Sequence, residues 1–421
     1  MNPSHIAKRV RFRNGERLSM LIAQDGLPVH EATLYLDTYR TRGRSANTIH
    51  FVCCSLAMLY RELDRASINL LDRFKGGDFL SAPELSRIAS LAQMRMTDVD
   101  ADQNKNKKLN VIKVSRIGLR LRPKVEAPKP VDTSTQASRL RYIANYLTFV
   151  SNYVSEELSF EKRSFFEEKS ERALNSFRSH IPAVSKRAKL DARVGLSPDD
   201  QRRLIASTRP DSSTNPWQRD FVRQRNWLMV LLLLATGMRR GELLGLQIKD
   251  VHPNERKIKI LRRADAAEDA RRNQPNTKTN DRAIELHATI AKLLSDFING
   301  ERRKILAARK IPQIFVSDDG QALSISSVDK IFRQLRSACP GLPVQLTSHV
   351  MRHTWNERFS EMADSLGFSE VAEQYARNQQ QGWSENSKMS ATYTRRHISL
   401  KGNQVSLKIQ KDLDEALQRK K

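Results

Sequence analysis

The chain has 421 residues, of which 39% are hydrophobic and 29% charged. That balance suits two or three folded domains and excludes both wholesale disorder and a bundle of membrane spans. Lys and Arg number 73 against 47 Asp and Glu, a net charge of +26, so a polyanion is the expected partner: nucleic acid first, a charged membrane surface second.

Three cysteines (Cys53, Cys54 and Cys339) cannot build a disulfide framework, and their spacing holds no metal motif. They fit a reducing cytoplasm. Met1 to Arg13 is basic and lacks the apolar stretch of a signal peptide. The longest apolar run, Leu228 to Ala235, is far short of the ~20 residues a membrane span needs and reads as a buried helix segment. No GxxxxGK[ST] loop is present, so no nucleoside triphosphate site is expected.

In chain order, residues 1–30 read as a basic leader. Within it, Val10 to Leu18 alternates around Asn14-Gly15, which predicts a hairpin with a type I′ turn. Helical pattern begins near Glu31. Ser45 is placed to cap a helix carrying Ile49, Val52, Leu56, Leu59 and Tyr60, and the pattern runs to about Met96. Residues 97–136 are polar, basic and broken by prolines, as expected of an extended insertion. Helical periodicity returns from Ala137 to Phe177, and residues 180–196 form a basic connector. Ser197-Pro198-Asp199-Asp200 is a helix start: Ser caps, Pro sits at the first helical position, and the acids face the positive end of the dipole. The main boundary is therefore expected near 195. Beyond it the chain reads as helical, with one β signal in which 256–260 pairs with 277–286 around a polar insertion, 264–276. The predicted class is mainly α with a small antiparallel sheet.

Four segments carry chemistry. Ala235-Thr-Gly237-Met-Arg239-Arg-Gly-Glu242 sets an arginine at a helix junction with an acid one turn on. Thr347-Ser-His349-Val-Met-Arg352-His353-Thr354 puts His349 and Arg352 three apart, so both can face one phosphate. Gly382-Trp383 precedes Thr392-Tyr393-Thr394, and a deprotonated tyrosine is a competent nucleophile. Lys278 opens a hairpin strand. Singly, each has an ordinary structural reading: a helix ion pair, a satisfied histidine, a core tryptophan, a solvated lysine.

Together, TGxRxxE and HxxRHT, in that order, resemble the tyrosine recombinase (phage integrase) family over roughly 195–400. Gly43 to Ile49 more weakly resembles the opening of the family's core-binding domain. The resemblance implies a two-domain, C-shaped DNA clamp. Its helical core-binding domain would be 31–194, with the insertion 97–136, and its catalytic domain 195–403. A C-terminal helix, 404–421, would be exchanged between protomers, with packing on its own domain as the alternative its residues leave open. It further implies an enzyme that cleaves and rejoins DNA through a covalent 3′-phosphotyrosine, mobilising a genetic element as in integration or transposition. Catalytic roles fall on Arg239, Lys278, His349, Arg352, Trp383 and Tyr393, with Glu242 and His353 in support. No metal or other cofactor is implied. The partners would be double-stranded DNA, a homotetramer on two DNA sites and accessory proteins of the same element, in a bacterial cytoplasm close to the nucleoid and with no membrane.

Candidate DNA contacts are Arg42, Arg44, Lys186, Arg187, Arg271 and Arg272. The stretch from Arg352 to Tyr393 is longer than the family's usual spacing, which keeps Tyr375 as an alternative nucleophile. A type IB topoisomerase or hairpin-forming resolvase would use the same chemistry, and a silent DNA-binding accessory protein remains a reading from a different class.

Overall fold

A computed structural model describes residues 4–95, 130–184, 195–275, 277, 279–387, 389 and 395–418. The chain divides into two compact units, Met1–Arg187 and Ala188–Lys421.

In the first unit, strands β1 (Ile6–Arg11) and β2 (Arg17–Ile22) form an antiparallel hairpin. The turn differs from the predicted type I′. The Phe12 N–H donates to Glu16 O and the Gly15 N–H to Phe12 O, so three residues make the loop and only Gly15 takes positive φ (+94°). A type I turn closed by a left-handed glycine needs no such φ at Asn14. The leader is also more than a leader, because Leu18 and Leu21 of β2 belong to the core of this unit.

Helices α1 (His30–Thr41), α2 (Ala46–Arg65), α3 (Leu70–Lys75) and α4 (Ala82–Leu91) follow. Ser45 caps α2 by accepting the Thr48 N–H at 3.3 Å. Helix α5 (Thr133–Ser155) starts inside the stretch expected to be an extended insertion, because Asp132 accepts the Thr135 N–H at 2.9 Å and caps it. With α6 (Phe160–Ser179) it closes the unit: Leu140, Ile143, Leu147 and Val150 of α5 pack with Val52, Leu56 and Leu59 of α2. Each fully buried leucine contributes about 1.5–3 kcal/mol.

The second unit opens with α7 (Pro198–Thr208), capped by Ser197, whose Oγ accepts the Asp200 N–H at 3.1 Å. Its central element is α8 (Asp220–Thr236), where the apolar run Leu228–Ala235 lies. A short helix α9 (Arg240–Gly245) leads to a three-stranded sheet of β3 (Val251–His252), β4 (Lys257–Ile260) and β5 (Arg282–Glu285), antiparallel, with Ile258 opposite Ile284. The pairing of β4 and β5 is as the alternation predicts; the two-residue β3 is too short to leave a pattern.

Then come α10 (Ala288–Asn299), α11 (Glu301–Lys304), α12 (Ile325–Ala338), α13 (Ser348–Ser365), α14 (Glu370–Gln381) and α15 (Arg395–Gln418). Leu232 and Leu233 of α8 share one core with Ile258, Ile284, Leu294, Phe332, Val350 and Met351. The architecture is thus mainly α with small antiparallel sheets. Among the described residues no helix is long and apolar enough to cross a membrane.

Candidate active site

The site forms where α8 ends. Gly237 closes that helix with φ +62°, and a Cβ there would lie 2.8 Å from the Trp355 ring, so both conformation and space require glycine. Two residues on, Arg239 precedes α9, and Glu242 reaches back to accept the Arg239 backbone N–H at 2.9 Å. The chain therefore turns sharply and holds the Arg239 side chain at the surface of the junction, 27% exposed.

Helix α13 locks the junction from the other side. Arg352 Nη1 donates to Gly237 O at 2.8 Å, and Trp355 Nε1 donates to Ala235 O at 3.0 Å. Gln381, at the end of α14, donates to Thr236 O at 3.3 Å. Arg352 is buried, and its guanidinium carbon lies 5.1 Å from the Trp383 ring centroid. That is a cation–π contact in desolvated surroundings.

His349 is exposed in the first turn of α13, its ring edge-on to His353 at 4.9 Å between centroids. His349 and Arg352 thus neighbour each other on one helix but differ in burial: the arginine turns inward to Gly237 and the histidine stays in solvent. Tyr375 is 51% exposed on α14. Lys278 and Tyr393 lie outside the described residues. Thr277 and Thr279, which flank Lys278, are both buried.

A model of the phage integrase family matches residues 196–381, the stretch that holds both arginines, Glu242, His349 and the hairpin. This domain belongs to the phage integrase family, the tyrosine recombinases. The chain is similar to tyrosine recombinase XerD of Halalkalibacterium halodurans, 26% identical over 141 residues, which are 34% of this chain and 42% of the relative. It is also similar to a XerC-like tyrosine recombinase of Caldanaerobacter subterraneus subsp. tengcongensis, 23% identical over 168 residues with the same coverage, 34% and 42%. The matches therefore span less than half of either relative. Among solved structures, XerH site-specific recombinase bound to palindromic difH substrate has a TM-score of 0.40 at 16% identity, covering 78% of this chain and 85% of its own. XerA recombinase has a TM-score of 0.36 at 22% identity, covering 61% and 77%.

Within the integrase domain, Glu242 is the electrostatic centre. Its side chain is fully buried. Besides Arg239, it accepts Thr279 Oγ1 at 2.8 Å and Arg282 Nη2 at 2.8 Å. Burial alone would raise its pKa. The charge and hydrogen bond of Arg282, the Arg239 N–H and the charge of Arg352 outweigh that and hold the carboxyl below its ordinary value. Arg282, itself buried, also donates to Gln380 O at 2.8 Å. The hairpin is tied to the Trp383 loop directly, since the Asn280 N–H donates to Gly382 O at 2.9 Å. A Cβ on Gly382, at φ +63°, would meet Asn280 O at 2.8 Å.

Sequence reasoning missed Arg282 and Thr279. The need for a second cation shows only in the fold, where Glu242 is fully buried and Arg282, at the start of the strand that pairs with 257–260, reaches it.

The proposed DNA contacts fare unevenly. Arg42 and Arg44 are exposed in the first unit, and Arg42 borders a cleft of about 310 Å³ with Tyr39, Asn145 and Arg178. Arg272 is exposed as well. Arg271 is a correction: its side chain is 9% exposed, paired with Asp269 at 2.7 Å and donating to Leu323 O at 2.7 Å and Leu244 O at 3.2 Å. Those bonds tie the chain at Arg271 to Leu244 and Leu323, so Arg271 is committed to the fold. Lys186 and Arg187 lie outside the described residues.

Proposed function

We propose that this chain is a site-specific tyrosine recombinase that cleaves and rejoins double-stranded DNA through a covalent 3′-phosphotyrosine. The observation that carries the reading is the meeting of two arginines from distant parts of the chain at one helix junction: Arg352 bonds Gly237 O, and Arg239 stands two residues further on.

The chemistry follows from charge. A phosphodiester repels nucleophiles, and its pentacoordinate transition state gathers more charge on the non-bridging oxygens. Two guanidinium forks neutralise that charge without a metal. Glu242 and Arg282 are positioning residues that hold Arg239. The Trp383 N–H is suited to one phosphate oxygen, His349 and its neighbour His353 to the proton of the attacking phenol, and Lys278 to protonating the departing 5′ oxygen. Tyr393 is the nucleophile. The phosphotyrosine keeps the energy of the broken link, so rejoining needs no nucleotide.

In this reading residues 31–194 form the core-binding domain and 195–403 the catalytic domain. Arg42, Arg44 and Arg272 contact phosphates, and a tetramer on two DNA sites is the working assembly. Accessory proteins of the element and a bacterial cytoplasm complete the proposal.

The test uses a duplex from the ends of the element that encodes the protein, nicked near the crossover so that cleaved ends escape. Wild type and Tyr393→Phe are compared in EDTA on a denaturing gel. A covalent adduct in wild type alone supports the assignment. An adduct in both moves the nucleophile, with Tyr375 next. Binding without an adduct in either, on this and a second duplex, favours an accessory DNA-binding protein.

A further inference from the structure

Helix α15 begins at Arg395, two residues after Tyr393. The apolar residues described in it do not explain where it lies: Ile398, Leu400, Val405, Leu407 and Ile409 are between 47% and 62% exposed. Every residue from 398 to 412 is exposed, and His397, just before them, is only partly so. Among the described residues of this helix, burial of apolar side chains is slight from 398 to 412.

A polar contact is made at its start. His397 and Lys401 are four apart, on one helix face. Both reach the same carboxylate oxygen, with His397 Nε2 at 2.9 Å and Lys401 Nζ at 2.6 Å from Asp364 Oδ2. The Lys401 hydrogen bond, and then the Lys401 and His397 charges, hold the Asp364 carboxyl below its ordinary value. Asp364 sits in the last turn of α13, the helix that bears His349 and Arg352 near its start. One continuous helix thus carries the proposed phosphate-binding pair and the acid that grips α15.

We propose that Asp364 is a positioning residue: by clamping the first two turns of α15 through His397 and Lys401, it sets where the chain delivers Tyr393 relative to His349 and Arg352. This inference rests on the recombinase reading above.

The experiment compares full-length wild type, Asp364→Lys, and the charge swap Asp364→Lys with Lys401→Glu. Three quantities are read: duplex affinity, the single-turnover rate of adduct formation at saturating nicked duplex, and amide hydrogen exchange over 395–405. Asp364→Lys is expected to keep its affinity and speed exchange over 395–405. Its adduct rate should fall about tenfold or more, since misplacing a reacting group by about 1 Å can cost roughly 10²-fold. The swap is expected to recover most of both losses.

Unchanged exchange and an unchanged rate in Asp364→Lys overturn the clamp, as does a rate loss that the swap leaves untouched. If wild type forms no adduct on any duplex, the recombinase reading is what fails. Hydrogen exchange then still decides whether Asp364 grips α15, and unchanged protection there overturns the clamp on its own.

Discussion

Replacing Glu242 with alanine tests the centre of the site. The carboxylate is fully buried and Arg282, its strongest partner, is 5% exposed. Removing the acid strands a buried guanidinium, which costs about 3–5 kcal/mol when one half of a buried pair is deleted. The Thr279 hydroxyl also loses its acceptor, adding about 1 kcal/mol. Arg239, at 27% exposure, can turn to water and adds little. The expected loss is therefore ~4–6 kcal/mol. All four tryptophans (Trp217, Trp227, Trp355 and Trp383) lie in the second unit, so their fluorescence in a denaturant titration reports that unit by itself. The control is the double variant Glu242→Ala with Arg282→Met, which removes both charges and should be more stable than Glu242→Ala alone by about 2 kcal/mol. A loss below about 1 kcal/mol in Glu242→Ala, or simple additivity in the double variant, would refute the claim that the pair is mutually compensating.

Three further outcomes are expected. Gly237→Ala should lower stability by about 2–5 kcal/mol, seen as a reduced Tm, because the left-handed backbone costs about 1–2 and the crowding against Trp355 about 1–3. Acid should narrow the stability gap between wild type and Glu242→Ala. The folded carboxyl is held below its ordinary 4.5, so its stabilisation is complete above that value and is lost as pH falls through the depressed one; urea titrations across this range measure it. Arg352→Lys should keep duplex affinity but slow adduct formation by about 10²–10³, since a lysine cannot reproduce a fork that bonds Gly237 O and stacks on Trp383; a single-turnover gel assay checks this.

What was legible in the sequence was mostly local. Ser45 and Ser197 act within a few residues of themselves, so capping could be read from neighbours alone. The hairpin was visible in the alternation, but Asn14-Gly15 suggested a two-residue turn where a three-residue loop needs only the glycine left-handed. The start of α5 was lost because prolines upstream masked the cap at Asp132.

Side-chain environments were harder. Arg239, His349 and Arg352 could be named from motif order, but their unequal burial could not. Arg271 looked like any surface cation in a basic chain, and only the fold shows Asp269 and two carbonyls waiting for it. Arg282 and Glu242 are forty residues apart, and no local pattern links them.

The way α13 is held has a consequence for accuracy. Apolar surfaces slide: a helix on a greasy neighbour can often shift a turn and lose little. Helix α13 adds to its apolar contacts at Val350 and Met351 a set of buried polar ones, with Arg352 on Gly237 O, Thr354 Oγ1 taking the Leu196 N–H at 2.8 Å and Glu357 taking the Gly195 N–H at 3.0 Å, and a more exposed one from Trp355 to Ala235 O. A shifted register would leave several of these groups buried and unbonded, at roughly 1–3 kcal/mol each. Polarity thus makes one alignment of α13 far better than its neighbours, and His349 and Arg352 inherit that single setting from bonds made elsewhere on the helix.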